Sequence, residues 1–144
     1  MNQSAREIGK LWFEVVWNRG RRDAIAELLS PNVLLHDAGV DSVGIEPFLL
    51  FFDRMQDTFS DIHVDTEDIV AEHDKAAIRW ICRAKHTGYG FSIPPTGVEV
   101  SMTGISIIQV EDGKVIEAWQ NWDMLGMMEQ IKKSLDAPPS YVTA

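Results

Sequence analysis

The stretch Asp112-Gly-Lys-Val-Ile-Glu-Ala-Trp-Gln-Asn-Trp-Asp-Met-Leu-Gly-Met-Met-Glu-Gln-Ile131 decides the architecture. Asp112-Gly113 lies between two apolar runs, the strongest short-range signal for a β-hairpin. Val115 to Trp122 is rich in β-branched and aromatic residues and reads as a strand. After Asp123 the period changes. Leu125, Met128 and Ile131 recur every three residues, with Met124, Met127 and Leu135 broadening the stripe, which predicts an amphipathic helix. Asp123 is thus expected at a strand-to-helix corner among Trp119, Asn121 and Trp122. In a regular strand Glu117, Trp119, Asn121 and Asp123 share one face, and Gln120 and Trp122 the other.

Working outward, Val98 to Val110 supplies the partner strand of that hairpin. Thr87 to Gly97 carries Pro94-Pro95 and reads as a loop or a broadly bulged strand, because proline cannot donate to a central ladder. Ala76 to His86 and Ile62 to Ala71 are two further strands, joined by the polar turn Glu72 to Lys75. The N-terminal half is helical. Ser4-x-x-Glu7 is a capping box, followed by Ile8, Leu11, Trp12, Val15 and Val16 at helical spacing, with Gly20 as the stop. A short helix is expected from Asp23 to Leu29, a strand from Asn32 to His36, and a loop from Asp37 to Gly44. A third helix begins near Glu46 with Pro47 in its first turn. Its run Phe48 to Phe52, with Met55 and Phe59, is apolar nearly all round and predicts burial on more than one side. Helices first, a meander of antiparallel strands next and one helix last define an α+β fold. A curved sheet wrapped round helices leaves one open mouth, where a small-molecule cavity belongs.

A chain of 144 residues is read as one domain spanning positions 1–144. The net charge of −9 and pI near 4.8 repel phosphate backbones and anionic lipid, which argues against nucleic-acid and membrane partners. The single cysteine, Cys82, lies within an apolar strand and reads as a small core side chain. Neither a signal-peptide pattern nor an apolar run of membrane-spanning length is visible, so a cytoplasmic location is expected. The tail from residue 136 on, with Pro138-Pro139, is expected to be mobile.

Several features coincide. Phe59-Ser-Asp-Ile-His63 follows the helical half; then come Lys85-His-Thr-Gly88, Pro94-Pro-Thr-Gly97, and Asp112-Gly-Lys-Val-Ile-Glu-Ala-Trp119 with Asp123. Together, from about residue 5 to residue 132, they resemble the SnoaL-like polyketide cyclases, also called predicted ester cyclases, of the NTF2-like superfamily. The resemblance implies a cone-shaped α+β barrel, a homo-oligomer (dimer or tetramer) built on sheet faces, and no metal or organic cofactor. It implies intramolecular aldol cyclisation of a small apolar or aromatic keto ester, begun by an aspartate base that corresponds to Asp123 here. One departure is the helix end, Gln130-Ile-Lys132, where the family commonly has glutamine-leucine-glycine.

The expected catalytic group is therefore Asp123, with His86 and His36 as candidates to polarise the substrate carbonyl or orient the carboxylate. Asn121, Trp119, Trp122, Phe52 and Trp80 are the expected substrate contacts. Asp123 has a competing role, because aspartate before a helix is a preferred N-cap. The four histidines, at positions 36, 63, 73 and 86, show no metal-ligand spacing, and no Gly-x-Ser-x-Gly elbow or phosphate loop is present. Two other readings stay open. One is epoxide hydrolysis or double-bond isomerisation in the same cavity, with Glu117 or Asp37 as a second acid; the other is a non-catalytic binding domain in which Asp123 only caps a helix.

Overall fold

The computed structural model describes residues 3–136. The tail expected to be mobile from residue 136 on lies, apart from Asp136, outside that range. Helix α1 (Ala5–Leu11) starts where the capping box predicts: Ser4 Oγ accepts the Glu7 N–H at 3.2 Å and donates to Glu7 Oε1 at 3.1 Å. The helix does not stay regular as far as Gly20. From Trp12 to Asn18 it widens into a π-helix, and the Arg19 N–H bonds the Glu14 carbonyl five residues back at 3.1 Å. Helices α2 (Asp23–Leu28) and α3 (Glu46–Thr58) follow the sequence pattern, with Pro47 in the first turn of α3. Helix α4 is Met124–Asp136.

The strands are β1 (Leu29–Asp37), β2 (Val40–Val43), β3 (Phe59–Glu72), β4 (Lys75–His86), β5 (Glu99–Glu111) and β6 (Lys114–Trp122). They form one curved sheet in the order β2-β1-β6-β5-β4-β3. Among the described residues β1 and β6 are the one parallel pair. The expected loop from Asp37 to Gly44 holds β2, which folds back on β1 through Ala38 and Gly39, both at positive φ (50° and 87°). A four-residue strand with two apolar residues is too short to show a period.

The inner sheet face carries the core. Along β4 and β5 the buried residues alternate: Ile78, Trp80 and Cys82 on one strand, Met102, Ser106 and Ile108 on the other. The α1 segment and α3 close over this face. Trp80 stands directly opposite Gly104, and a methyl group built on Gly104 would fall inside the Trp80 indole. The glycine is what lets the ring lie flat across the neighbouring strand. At the far edge β3 is irregular, with register shifts between Ser60 and His63 and between Thr66 and Asp68, and its outward positions include Asp61, Asp65, Glu67 and Asp68.

Gly104→Ala should therefore destabilise the fold by about 1–3 kcal/mol, the usual cost of forcing an extra group into a packed site. Urea unfolding measures it; wild-type stability in the variant would mean that the indole is free to move aside.

Candidate active site

Between the inner sheet face, the α1 segment and α3 lies a cavity of about 510 Å³, within the range of small-molecule sites. Its wall is mostly apolar, with Trp12, Phe48, Phe51, Ile78, Ile108 and Trp122 among the lining residues. The consecutive residues Trp12 and Phe13 both reach it, at the start of the widened turn. A smaller pocket of about 40 Å³ adjoins it and shares Phe13, Phe51, Gln120 and Trp122.

Against this apolar wall the polar side chains stand out. Asp37, the last residue of β1, lines the cavity, and its Oδ1 is buried without a hydrogen-bond partner. Burial raises its pKa above the ordinary 3.8, because the charged form is poorly solvated. Its direct neighbour across the β1–β6 pair is Gln120, which also lines the cavity. Gln120 Oε1 accepts from Ser106 Oγ at 3.1 Å, and Ser106 Oγ accepts from the Trp80 indole N–H at 3.1 Å.

His36 precedes Asp37 and lies at the cavity rim. Its Nδ1 is 2.7 Å from Asp41 Oδ1 and its Nε2 2.7 Å from Glu117 Oε2. Two carboxylates want two N–H donors, so the ring is held as an imidazolium, and its pKa is raised, first by the bond to Asp41 and then by the bond to Glu117. The ring stacks on Trp119 with centroids 5.4 Å apart, and Lys75 Nζ lies 5.2 Å from the centre of the same indole.

The remaining expected site residues fall elsewhere. Asp123 is exposed and does not line the cavity. Its Oδ1 accepts the Gly126 N–H at 2.8 Å, and its carbonyl the Met127 N–H, so it caps α4. Gly126 matters to this cap, since a Cβ there would collide with the Asp123 carboxylate. The expected catalytic Asp123 thus stands outside the cavity wall, beyond the exposed Asn121.

His86 is fully buried and outside the cavity wall. Thr96 donates its N–H to His86 Nδ1 at 3.3 Å, with Thr96 Oγ1 at 2.9 Å, which leaves the ring proton on Nε2, a buried atom without a partner. Burial lowers the His86 pKa, and the neutral ring ties the Thr87–Val98 loop to the end of β4. The expected contact of His86 with substrate is not formed at this cavity wall. Of the expected substrate contacts, Trp119 and Trp122 line the cavity. Phe52 is core, Trp80 lines only the small pocket, and Asn121 is exposed on the outer face.

Sequence reasoning missed Ser106 and Gln120 as site residues, and named Asp37 only as a second acid for epoxide opening. Ser106 carried a signal: a lone hydroxyl at an inward position of an alternating strand needs a partner. Gln120 was placed on the correct face, but the aromatic and acidic residues of the other face drew attention. The place of Asp37 in the cavity wall depends on the unrecognised β2, which pairs with the end of β1. Among the described residues no group of three or more histidine, cysteine, aspartate or glutamate side chains could hold a metal ion, and no helix is long and apolar enough to cross a membrane.

A family model, SnoaL-like polyketide cyclase, matches residues 9–131. The chain belongs to the SnoaL-like polyketide cyclase family. No curated protein sequence matches it. Among solved structures it is similar to IdmH from Streptomyces antibioticus, a proposed polyketide cyclase, at 25% identity and a TM-score of 0.81, covering 90% of this chain and 99% of that one. AclR from Streptomyces galilaeus, a proposed hydroxylase, aligns at 26% identity and a TM-score of 0.81, covering 97% and 89%. A SnoaL-like protein from Jannaschia sp. CCS1 has the same fold at 24% identity and a TM-score of 0.81, covering 96% and 99%.

A raised His36 pKa means that the folded protein holds that proton more tightly than the unfolded chain. The stabilisation is complete below the unfolded value near 6.5 and is lost as pH rises through the folded value. Unfolding by urea across that window should show wild-type stability falling relative to a His36→Gln variant. Parallel curves for the two proteins would refute the coupling.

Proposed function

We propose that the chain is a cofactor-independent enzyme of the polyketide-cyclase type, removing a proton α to a carbonyl in a small apolar keto ester, with Asp37 as the base. One observation carries this reading: the Asp37 Oδ1 is buried in an apolar cavity with no hydrogen bond to satisfy it. A carboxylate left without partners is poorly stabilised as an anion and correspondingly ready to accept a proton. Its raised pKa narrows the gap to a carbon acid. The step begins with transfer of the α-proton to Asp37. The C–H electron pair becomes the enolate π bond, and the carbonyl pair moves to oxygen. In a cyclisation the enolate carbon then attacks a second carbonyl of the same molecule, forming a C–C bond. The new alkoxide takes the proton back from Asp37, which is regenerated as the carboxylate.

The family membership supports the reaction class, and the aromatic wall suits a flat, apolar substrate. Asp123, exposed and committed to the helix cap, is assigned no chemical role in this reading. The proposal extends to a cytoplasmic homo-oligomer whose contact lies on the outer sheet face, where Ile105 is 50% exposed. Sedimentation of a monomer at every accessible concentration would rule out that assembly.

In deuterium oxide, with a panel of β-keto esters, Asp37→Asn should slow α-proton exchange by about 100-fold or more, the usual scale for a positioned general base. Asp123→Asn should exchange at the wild-type rate, since asparagine caps as well as aspartate. Activity should fall as pH drops through the raised Asp37 pKa, above the ordinary 3.8, because only the carboxylate is a base. Wild-type exchange by Asp37→Asn would end the assignment.

A further inference from the structure

Resting on the assignment of Asp37, we infer that Gln120 is the oxyanion donor of this site and that Trp80 and Ser106 are the residues that aim it. The hydrogen-bond sequence has a fixed direction. The Trp80 indole nitrogen can only donate, and it donates to Ser106 Oγ at 3.1 Å. The Ser106 hydroxyl has one hydrogen, and Gln120 Oε1 accepts it at 3.1 Å. Both Trp80 and Ser106 are buried, at 7% and 5% exposure, so bulk water cannot compete for these bonds. The Gln120 amide is thereby locked with its oxygen toward the sheet wall. Its NH₂ group has no acceptor among the described residues, while the side chain lines the cavity. A reversed amide would present a second donor to Ser106 and strand the serine hydrogen without an acceptor.

The position of this donor fits the chemistry. Gln120 and Asp37 are directly paired across β1 and β6 and share the inner face. A carbonyl compound with its α-carbon at Asp37 has its oxygen two bonds away, within reach of a group on the adjacent strand. Proton transfer turns Asp37 neutral and the carbonyl oxygen negative. A fixed N–H pair is then worth more to the enolate than to the ketone, which is the requirement for catalysis as distinct from binding. Trp80 is in turn held flat by Gly104, so the aim of the amide traces back to a glycine on β5.

The test uses an enolate mimic and is independent of the natural substrate. The Asp37→Asn protein reproduces the neutral base. 2-Naphthol, whose absorbance separates the phenol from the phenolate, is titrated into it as a function of pH. Bound naphthol should ionise at lower pH than free naphthol. Adding Gln120→Met, which keeps the length of the side chain, should abolish that shift; adding Ser106→Ala, which removes the bond that fixes the amide oxygen, should reduce it. In proteins that retain Asp37, Gln120→Met should cut the exchange rate at saturation by about 100-fold with little change in KM, as removal of one oxyanion donor does. No shift in the Asp37→Asn protein, or an equal shift with and without Gln120, would overturn the inference. Because naphthol ionisation requires no proton abstraction from carbon, this outcome is separable from a failure of Asp37 as the base, which is read from exchange alone.

Discussion

The pairing of β5 with β6 is the constraint on which the site depends. The Asp112-Gly113 turn starts the two strands in step, and the register runs from Glu111↔Lys114 to Gly104↔Trp122, with one irregularity between Gln109 and Val110. Side chains in a strand alternate strictly, so a slip of one residue would exchange the two faces. Gln120 and Trp122 would then leave the cavity, and Glu117 and Asn121 would enter it. The short irregularity near the turn adds local twist without disturbing the parity beyond Gln109. β1 joins β6 in parallel and brings Asp37 beside Gln120. A carboxylate and an amide far apart in sequence thus become neighbours through backbone ladders, with no contact between the side chains needed to assemble them.

Two acid-bearing environments result, a few residues apart. Asp37 faces an apolar space and has no partner for Oδ1. Asp41 and Glu117 face an imidazolium. The first carboxylate is raised by desolvation; the two others hold a proton on His36. His36 and Asp37 are consecutive, and strand alternation is what separates their surroundings. The histidine stacks on Trp119 at the rim, and the Asp37 Oδ1 keeps no hydrogen-bond partner.

Much of the fold was legible because its elements carry strong local signals. The Ser4 cap, the Asp112-Gly113 turn and the change of period after Asp123 all have direct counterparts in the structure. The π-helix from Trp12 to Asn18 was not legible, since its apolar spacing also satisfies an ordinary helix and tertiary packing selects the wider turn. The site was less legible than the fold. Family resemblance and the cluster of tryptophans pointed to Asp123, where local chemistry offers a cap that any helix start would use. Asp37 became a cavity residue only through the β1–β2 reversal, a non-local fact with little trace in composition. His86 illustrates the same limit: a histidine at a strand end can face solvent, ligand or core, and the Pro94-Pro-Thr-Gly97 loop that buries it reveals its purpose only when folded.

The free edge of the sheet has a consequence for handling the protein. β3 is the last strand of the sheet, and beyond Val64, whose N–H and carbonyl are bonded by the Asn18 side chain, no strand among the described residues pairs with its outer edge, which invites another strand to add to it. Asp61, Asp65, Glu67 and Asp68 guard that edge with negative charge, and its two irregularities keep it from lying flat. That guard is electrostatic as well as geometric. Near the pI of about 4.8 the whole-molecule repulsion vanishes. Mild acid is thus where the edge is least defended, and where strand-on-strand association between copies has the lowest barrier.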